Sequence, residues 1–304
     1  MKIRLCLAVV TGFWVVTGFA QQTPPAKPAP APISGAQEFR DLEYVPGGGH
    51  ARALDLFVPE KITGPVPVIV WIHGGAWTGG DKTDGGNGIF LVRQGYAVAC
   101  INYRMGRGVA FPDPLHDCKT AVRWLRAHAA QYHLDADHIG AWGVSAGAHL
   151  AALVGLTGGD PTLEGVDSNR SFSSQVQAVC DWYGPVELVT SLENDPKILG
   201  PCIVNLLGGR KTATKERAIQ ASPITYVTSN APPFLIMHGA KDHTVPVAQA
   251  ETFAEAFKKV GANYTLVVVP TAGHGLGGRE NSDRVVAFFN KYLKPSGQSV
   301  GPGR

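Results

Sequence analysis

From residue 39 to residue 292, short apolar, β-branched runs alternate with stretches whose apolar residues recur at helical spacing. That is the order expected of an α/β sheet. The runs at 39–45, 52–58, 66–73, 96–102, 138–144, 176–182, 233–238 and 264–269 predict eight strands. In the second, Leu54, Leu56 and Val58 share one face and Ala53, Asp55 and Phe57 the other, the alternation of a half-exposed edge. Most later runs are almost continuously apolar, as central parallel strands covered on both faces must be. Helical patterns cover 89–94, 114–132, 146–156, 247–260 and 282–292. In the second of these, Cys118, Ala121, Val122, Leu125 and Ala129 make one stripe to bury. Two stretches, 157–175 and 184–231, break the alternation, and excursions of that length are expected to act as lids or site walls. The pattern predicts one mostly parallel eight-stranded sheet with helices on both faces and lid or cap excursions.

The ends read differently. Lys2 and Arg4, the apolar stretch 5–16 and the small-residue site Gly18-Phe19-Ala20 have the order of a secretory signal over 1–20. The apolar run is shorter than the roughly 20 residues a spanning helix needs. Cleavage without stable membrane insertion is therefore expected, giving a secreted or periplasmic protein. Residues 21–36, rich in Pro, Ala and Gln, read as a linker, 37–294 as the folded domain and 295–304 as a flexible tail.

With 44% hydrophobic residues the chain can bury a sizeable core. The formal charge of +3 loses Lys2 and Arg4 with the leader, and no Lys/Arg cluster stands out. Nucleic acid is thus not expected as a partner. Cys100, Cys118, Cys180 and Cys202 remain after cleavage, an even number that leaves two, one or no disulfides open. No two are close enough for a zinc knuckle, and no histidine has a ligand at metal spacing, so neither a metal nor a cofactor is expected.

Three glycine-rich turns carry the chemistry. Gly143-Val144-Ser145-Ala146-Gly147 matches G-x-S-x-G between a predicted strand and a predicted helix. There a tight turn presents a serine hydroxyl to a base, and glycines remove Cβ atoms that would meet neighbouring chain. His73-Gly74-Gly75-Ala76-Trp77 ends an earlier strand, where the N–H groups of Gly75 and of Gly74 or Ala76 could join that of Ala146 around an oxyanion. His73 itself is expected to hold the loop. The third turn, Gly273-His274-Gly275, follows the last strand and offers a near-neutral imidazole on an exposed loop. Asp242, after the seventh strand, is the expected acid behind His274, with Asp181 at the end of the sixth as its competitor. His149, four residues after Ser145, is expected to pack or support rather than react. Trp77, Tyr103, Trp182 and Tyr183 fall at predicted strand ends on this edge and are candidates to line the acyl pocket.

These motifs come with Asn102-Tyr103-Arg104, His116-Asp117-Cys118-Lys119, Asp181-Trp182-Tyr183-Gly184-Pro185, Ser222-Pro223-Ile224 and His238-Gly239. From about residue 55 to 292 the chain thereby resembles the esterase/lipase branch of the α/β-hydrolases, most closely the bifunctional feruloyl and acetylxylan esterase-like group. Two departures are Ala76, where related lipases often have a third glycine, and Ala240-Lys241, where an acidic residue often precedes the catalytic acid. The resemblance implies the α/β-hydrolase fold and a carboxylic ester hydrolase with a Ser145–His274–Asp242 triad and an acyl-enzyme. Its implied substrate is a small-molecule or polymer-linked ester, acetyl or feruloyl, on plant polysaccharide or related polyesters. A kynurenine-formamidase-like amide hydrolase shares the His-Gly-Gly and Gly-x-Ser-Ala-Gly motifs, and an inactive hydrolase fold used for binding is the remaining alternative.

Overall fold

The computed structural model describes residues 32–84, 86–195 and 197–294. The expected leader 1–20, most of the expected linker and the tail 295–304 lie outside the described residues. Eight strands, β1 (Ala36–Glu43), β2 (Ala53–Pro59), β3 (Val66–Ile72), β4 (Ala97–Ile101), β5 (Leu134–Val144), β6 (Ala178–Trp182), β7 (Phe234–Gly239) and β8 (Tyr264–Val269), form one sheet in the order β1-β2-β4-β3-β5-β6-β7-β8. β2 runs antiparallel to β1 and β4, and every other pairing is parallel. After β3 the chain crosses to one side to make β4, then to the other to make β5. The order therefore reverses beside β3, and the crevice beyond the carboxyl ends of β3 and β5 is where an open α/β sheet takes its ligand.

The helices are α1 (Gly86–Ile89), α2 (Asp113–Ala127), α3 (Ala146–Leu156), α4 (Leu188–Asn194), α5 (Leu199–Leu206), α6 (Lys215–Gln220), α7 (Ala248–Val260) and α8 (Arg279–Leu293). Strand alternation sorts the core into two layers. Val68, Val70 and Ile72 of β3 pack with α2, α3 and α7, whereas Ile69 and Trp71 pack with Phe289 and Leu293 of α8. α3 carries almost nothing polar and is buried along most of its length, since β5, β6 and α2 surround it.

Boundaries moved where tertiary contacts outweigh local pattern. Ala36 is buried and Ile33 packs against the sheet, so the fold begins before the expected residue 37. α2 ends at Ala127 rather than 132, and β5 starts at Leu134 because that residue pairs with Val66. The two excursions also part company. Residues 157–175 do not roof the crevice: Glu164 pairs with the buried Lys119 (3.0 Å) and Arg123 (2.7 Å) of α2, holding this stretch against the domain's flank. Residues 184–231 fold into α4, α5, α6 and the turn Pro223–Tyr226, and side-chain caps start α4 and α6. Glu187 accepts from the N–H groups of Val189 and Thr190, and Thr214 from that of Arg217. Among the described residues no helix is long and apolar enough to cross a membrane.

Candidate active site

The turn between β5 and α3 is shaped by close approach. A Cβ on Gly143 would lie 2.1 Å from the carbonyl oxygen of Gly147, and one on Gly147 would lie 2.1 Å from that of Ile72. Strand, turn and helix can pack this closely only without those side chains. Between them Ser145 takes φ 53°, ψ −123°, a costly conformation for a residue with a Cβ, while its N–H donates to Trp182 O at 2.9 Å. The hydroxyl is thereby lifted clear of both elements at the head of α3.

The loops after β7 and β8 meet it. His274 Nε2 stands 3.0 Å from Ser145 Oγ, and His274 Nδ1 stands 2.7 Å from Asp242 Oδ2. A carboxylate only accepts, so Nδ1 carries the proton and Nε2 presents its lone pair to the serine hydroxyl. Asp242 Oδ1 accepts from the N–H groups of Thr244 (2.8 Å) and Val245 (2.9 Å), and His238 Nε2 lies 3.3 Å from Oδ2. Burial works against the Asp242 carboxylate, but His238, His274 and the two N–H groups outweigh it and hold its pKa well below the usual range. Asp181 is the contrast. Its Oδ1 accepts from Gly184 N–H at 2.8 Å, its Oδ2 has no partner, and burial pushes its pKa up to about 6. Only Asp242 of the two candidate acids touches His274.

The loop after β3 closes the other side. A Cβ on Gly74 would lie 3.4 Å from Ser145 Cβ, so this backbone runs directly past the serine. Gly75, Ala76 and Trp77 take φ 109°, 54° and 58°. The turn is held by the N–H groups of Thr78 and Gly79, which donate to Gly75 O. Among the described residues the N–H groups of Gly75 and Ala76 have no hydrogen-bond partner, and that of Ala146 is an unpaired first-turn donor of α3. Ala76, Ala146 and Ser145 line one cavity, so the donors and the hydroxyl converge on the same space. His73 is buried, its Nδ1–H donating to Gly74 O at 2.7 Å, which is the loop-holding position expected of it.

That cavity, about 30 Å³, is walled by Trp77 and Pro185 and by Ile198, Leu199 and Cys202 at the start of α5. Of the four aromatic candidates only Trp77 lines it. Tyr103 is buried behind the loop, stacked on His73 with ring centroids 4.5 Å apart and its hydroxyl donating to His73 O at 3.0 Å. Trp182 lies on the opposite sheet face, edge-on to Trp142 at 4.9 Å, because its alternation places it with Cys180 in the α8 layer. Tyr183 turns its ring to His274, 4.7 Å away, and so buttresses the imidazole. His149 accepts from Trp77 Nε1–H at 3.3 Å and donates from Nε2 to Ala221 O at 2.7 Å, joining loop, α3 and cap. Burial lowers its pKa to about 4, leaving it neutral. The cap residues Pro185, Ile198, Leu199 and Cys202 escape a reading by sequence period. The one hint was Ile198-Leu199 standing apolar inside an irregular stretch.

Among the described residues Cys100, Cys118, Cys180 and Cys202 are free thiols. Among the described residues no cluster of His, Cys, Asp or Glu could hold a metal.

A family model for BD-FAE matches residues 54–257, more than half of the chain. The chain is 35% identical over 245 residues to the esterase LipQ of Mycobacterium tuberculosis, covering 79% of this chain and 57% of the relative. It spans little more than half the length of that protein. Its backbone is similar to that of a truncated carbohydrate esterase from gut microbiota (29% identity, TM-score 0.78, covering 86% of this chain and 98% of the other). A butyrate-bound thermophilic esterase from Thermogutta terrifontis is also similar (28% identity, TM-score 0.69, covering 87% and 97%).

Proposed function

Because the chain belongs to the BD-FAE family and has the α/β-hydrolase fold, we propose that it is a carboxylic ester hydrolase working through an acyl-enzyme on Ser145. The observation that carries this reading is the continuous relay from Asp242 Oδ2 through His274 to Ser145 Oγ, with distances of 2.7 and 3.0 Å. Ser145 Oγ attacks the ester carbonyl as His274 Nε2 takes its proton. The oxyanion is met by the unpaired N–H groups of Gly75, Ala76 and Ala146. Collapse returns the proton to the leaving alcohol, and water then repeats the sequence to release the acid. The triad's members need no metal or cofactor for these steps.

The acyl group is short. A cavity of about 30 Å³ has room for about two water molecules. An acetyl group suits that space, and a feruloyl ring does not. Of the two acyl classes the sequence suggests, the site favours the smaller, on an ester of plant polysaccharide or a similar hydroxyl-rich scaffold. Export follows from the order of basic, apolar and small residues in 1–20, and Gln21 is then the mature N-terminus.

The reading is tested by acetate release from p-nitrophenyl acetate together with an organophosphonate probe. The probe should label Ser145, and Ser145→Ala should lower kcat by about 10⁴ or more. Labelling of a different serine, or an alanine variant that keeps most of its activity, would refute it.

A further inference from the structure

We infer that the cleft behind the loop Gly75–Thr78, lined by Thr78, Arg107, Gly108, Asn205 and Gly209, receives the alcohol half of the substrate, the sugar of the ester proposed above. The inference rests on the esterase reading above. An ester presents two groups at its carbonyl carbon, and the cavity at Ser145 has room for only the smaller of them. The alcohol half must therefore extend past the cavity's wall into neighbouring space.

Of the two larger concavities beside α5, one adjoins that wall. The cleft measures about 500 Å³, and Thr78 on its rim follows Trp77, which lines the small cavity. Its far side is bonded to the same residue, for Gly106 N–H donates to Trp77 O at 2.8 Å. The third tie is α5 itself. Cys202 faces the small cavity, and Asn205, three residues on and so beside it on the helix surface, faces the cleft. The second concavity, about 420 Å³, shares Asn205 with the cleft, but its other α5 residues, Gly200, Pro201 and Val204, point away from the Leu199 and Cys202 side of the helix. It does not adjoin the serine.

The lining chooses the ligand. Arg107 and Asn205 are exposed, and among the described residues neither side chain has a hydrogen-bond or ion-pair partner. The turns at Gly106, Gly108, Gly208 and Gly209 leave bare backbone for a ligand to approach closely. Val109 is the cleft's one large apolar side chain, and no aromatic ring or acidic group lines it. An aromatic or fatty alcohol would bury little there, and a cation would meet only Arg107. A ligand with many hydroxyls can accept from the guanidinium and exchange hydrogen bonds with the amide of Asn205.

The test compares kcat/KM for an acetylated xylo-oligosaccharide with kcat/KM for p-nitrophenyl acetate in the parent, Arg107→Ala, Asn205→Ala and the cleft-filling Asn205→Trp. Thermal melts check that each variant folds. The oligosaccharide-to-nitrophenyl ratio should fall about tenfold in each alanine variant and further in Asn205→Trp, with the change mainly in KM for the oligosaccharide. A ratio that stays within twofold of the parent in all three variants overturns the inference and leaves the esterase reading standing. A parent that releases acetate from neither substrate overturns the esterase reading and the inference with it.

Discussion

Asp242→Asn is the sharpest test of the relay, because the surroundings dictate how the new amide would lie. Oδ1 of Asp242 accepts two backbone N–H groups, from Thr244 at 2.8 Å and Val245 at 2.9 Å. In the variant the amide oxygen must stay there, which turns the NH₂ toward His274 Nδ1. That NH₂ donates, so Nδ1 becomes the acceptor and the ring proton moves to Nε2, facing Ser145. An imidazole in that tautomer has no lone pair for the serine proton. The amide could flip to restore the working tautomer, but two buried N–H groups would then face an NH₂. At about 1–3 kcal/mol for each unsatisfied donor, the flip costs roughly 2–6 kcal/mol. With about 1.36 kcal/mol per tenfold, kcat should fall by between about 30-fold and 10⁴-fold. The assay is p-nitrophenyl acetate turnover beside a thermal melt, since the isosteric change should leave the fold intact. A correctly folded variant with kcat within fivefold of the parent would refute the assigned geometry.

Asp181→Asn should act on stability instead. Its carboxyl has a pKa of about 6 in the fold and about 3.9 unfolded, so the unfolded chain loses its proton first and the parent loses stability as pH rises from about 4 to 6. Urea melts should show the variant gaining on the parent by roughly 3 kcal/mol between pH 4 and pH 7, and a constant difference would contradict the unpaired, buried state of Oδ2. His149→Ala leaves Trp77 Nε1–H and Ala221 O without partners, and differential scanning calorimetry should find it destabilised by roughly 2–6 kcal/mol. A melt matching the parent's would mean that the bridge is idle. Among p-nitrophenyl esters, kcat/KM should be highest for acetyl and fall as the acyl chain lengthens because of the small cavity, and a preference for long chains would count decisively against it. Mass spectrometry of exported protein should find Gln21 at or near the N-terminus, whereas Met1 on cytoplasmic material would sink the export proposal.

How much of this was legible in the sequence depended on whether local backbone chemistry or packing decided each residue. The strand 264–269 and the helix 146–156 appear with the bounds their patterns predict, and Ser145, Asp242 and His274 fall where strands end in loops. Glycines at 143, 147, 273 and 275 mark those turns because close approach or exposure is a local demand. Facing was not legible. The run 176–182 mixes apolar residues with Gln177 and Asp181, and a period of two separates Trp182 from Asp181 without saying which of them looks toward the crevice. Tyr103 lies away from the cavity for a related reason. It stands at a strand end on the right edge, but its ring is spent on His73 beneath the loop. The cap walls come from short helices whose faces are set by what they cover, and no period in the chain announces that.

The unpaired N–H groups also depend on residues far from Ser145. Ala76 and Trp77 both take left-handed conformations, each costing of order 1–3 kcal/mol unless the surroundings enforce it. Gly106 N–H holds Trp77 O, and His149 holds the indole from within α3. Beyond the turn, Lys82 is buried and bonded to Asp41 (2.8 Å) and Asp55 (2.5 Å), while Lys82 N–H donates to Asn102 Oδ1 at 2.6 Å. Asp55 also takes Arg40 at 2.9 Å. This set of charges, with Lys82 and Asp55 buried at its centre and Asp41 at the surface, fastens the far end of the loop to β2 and to the end of β4, the antiparallel part of the sheet. Removing one partner would leave a buried charge uncompensated, so the network enforces one position for the loop far more strictly than an apolar patch could. Two N–H groups aimed at an oxyanion must not relax toward other acceptors, and a loop pinned at both ends prevents that. The antiparallel edge of the sheet, which carries none of the proposed reacting groups, thus serves the proposed chemistry by fixing the strained turn beside Ser145.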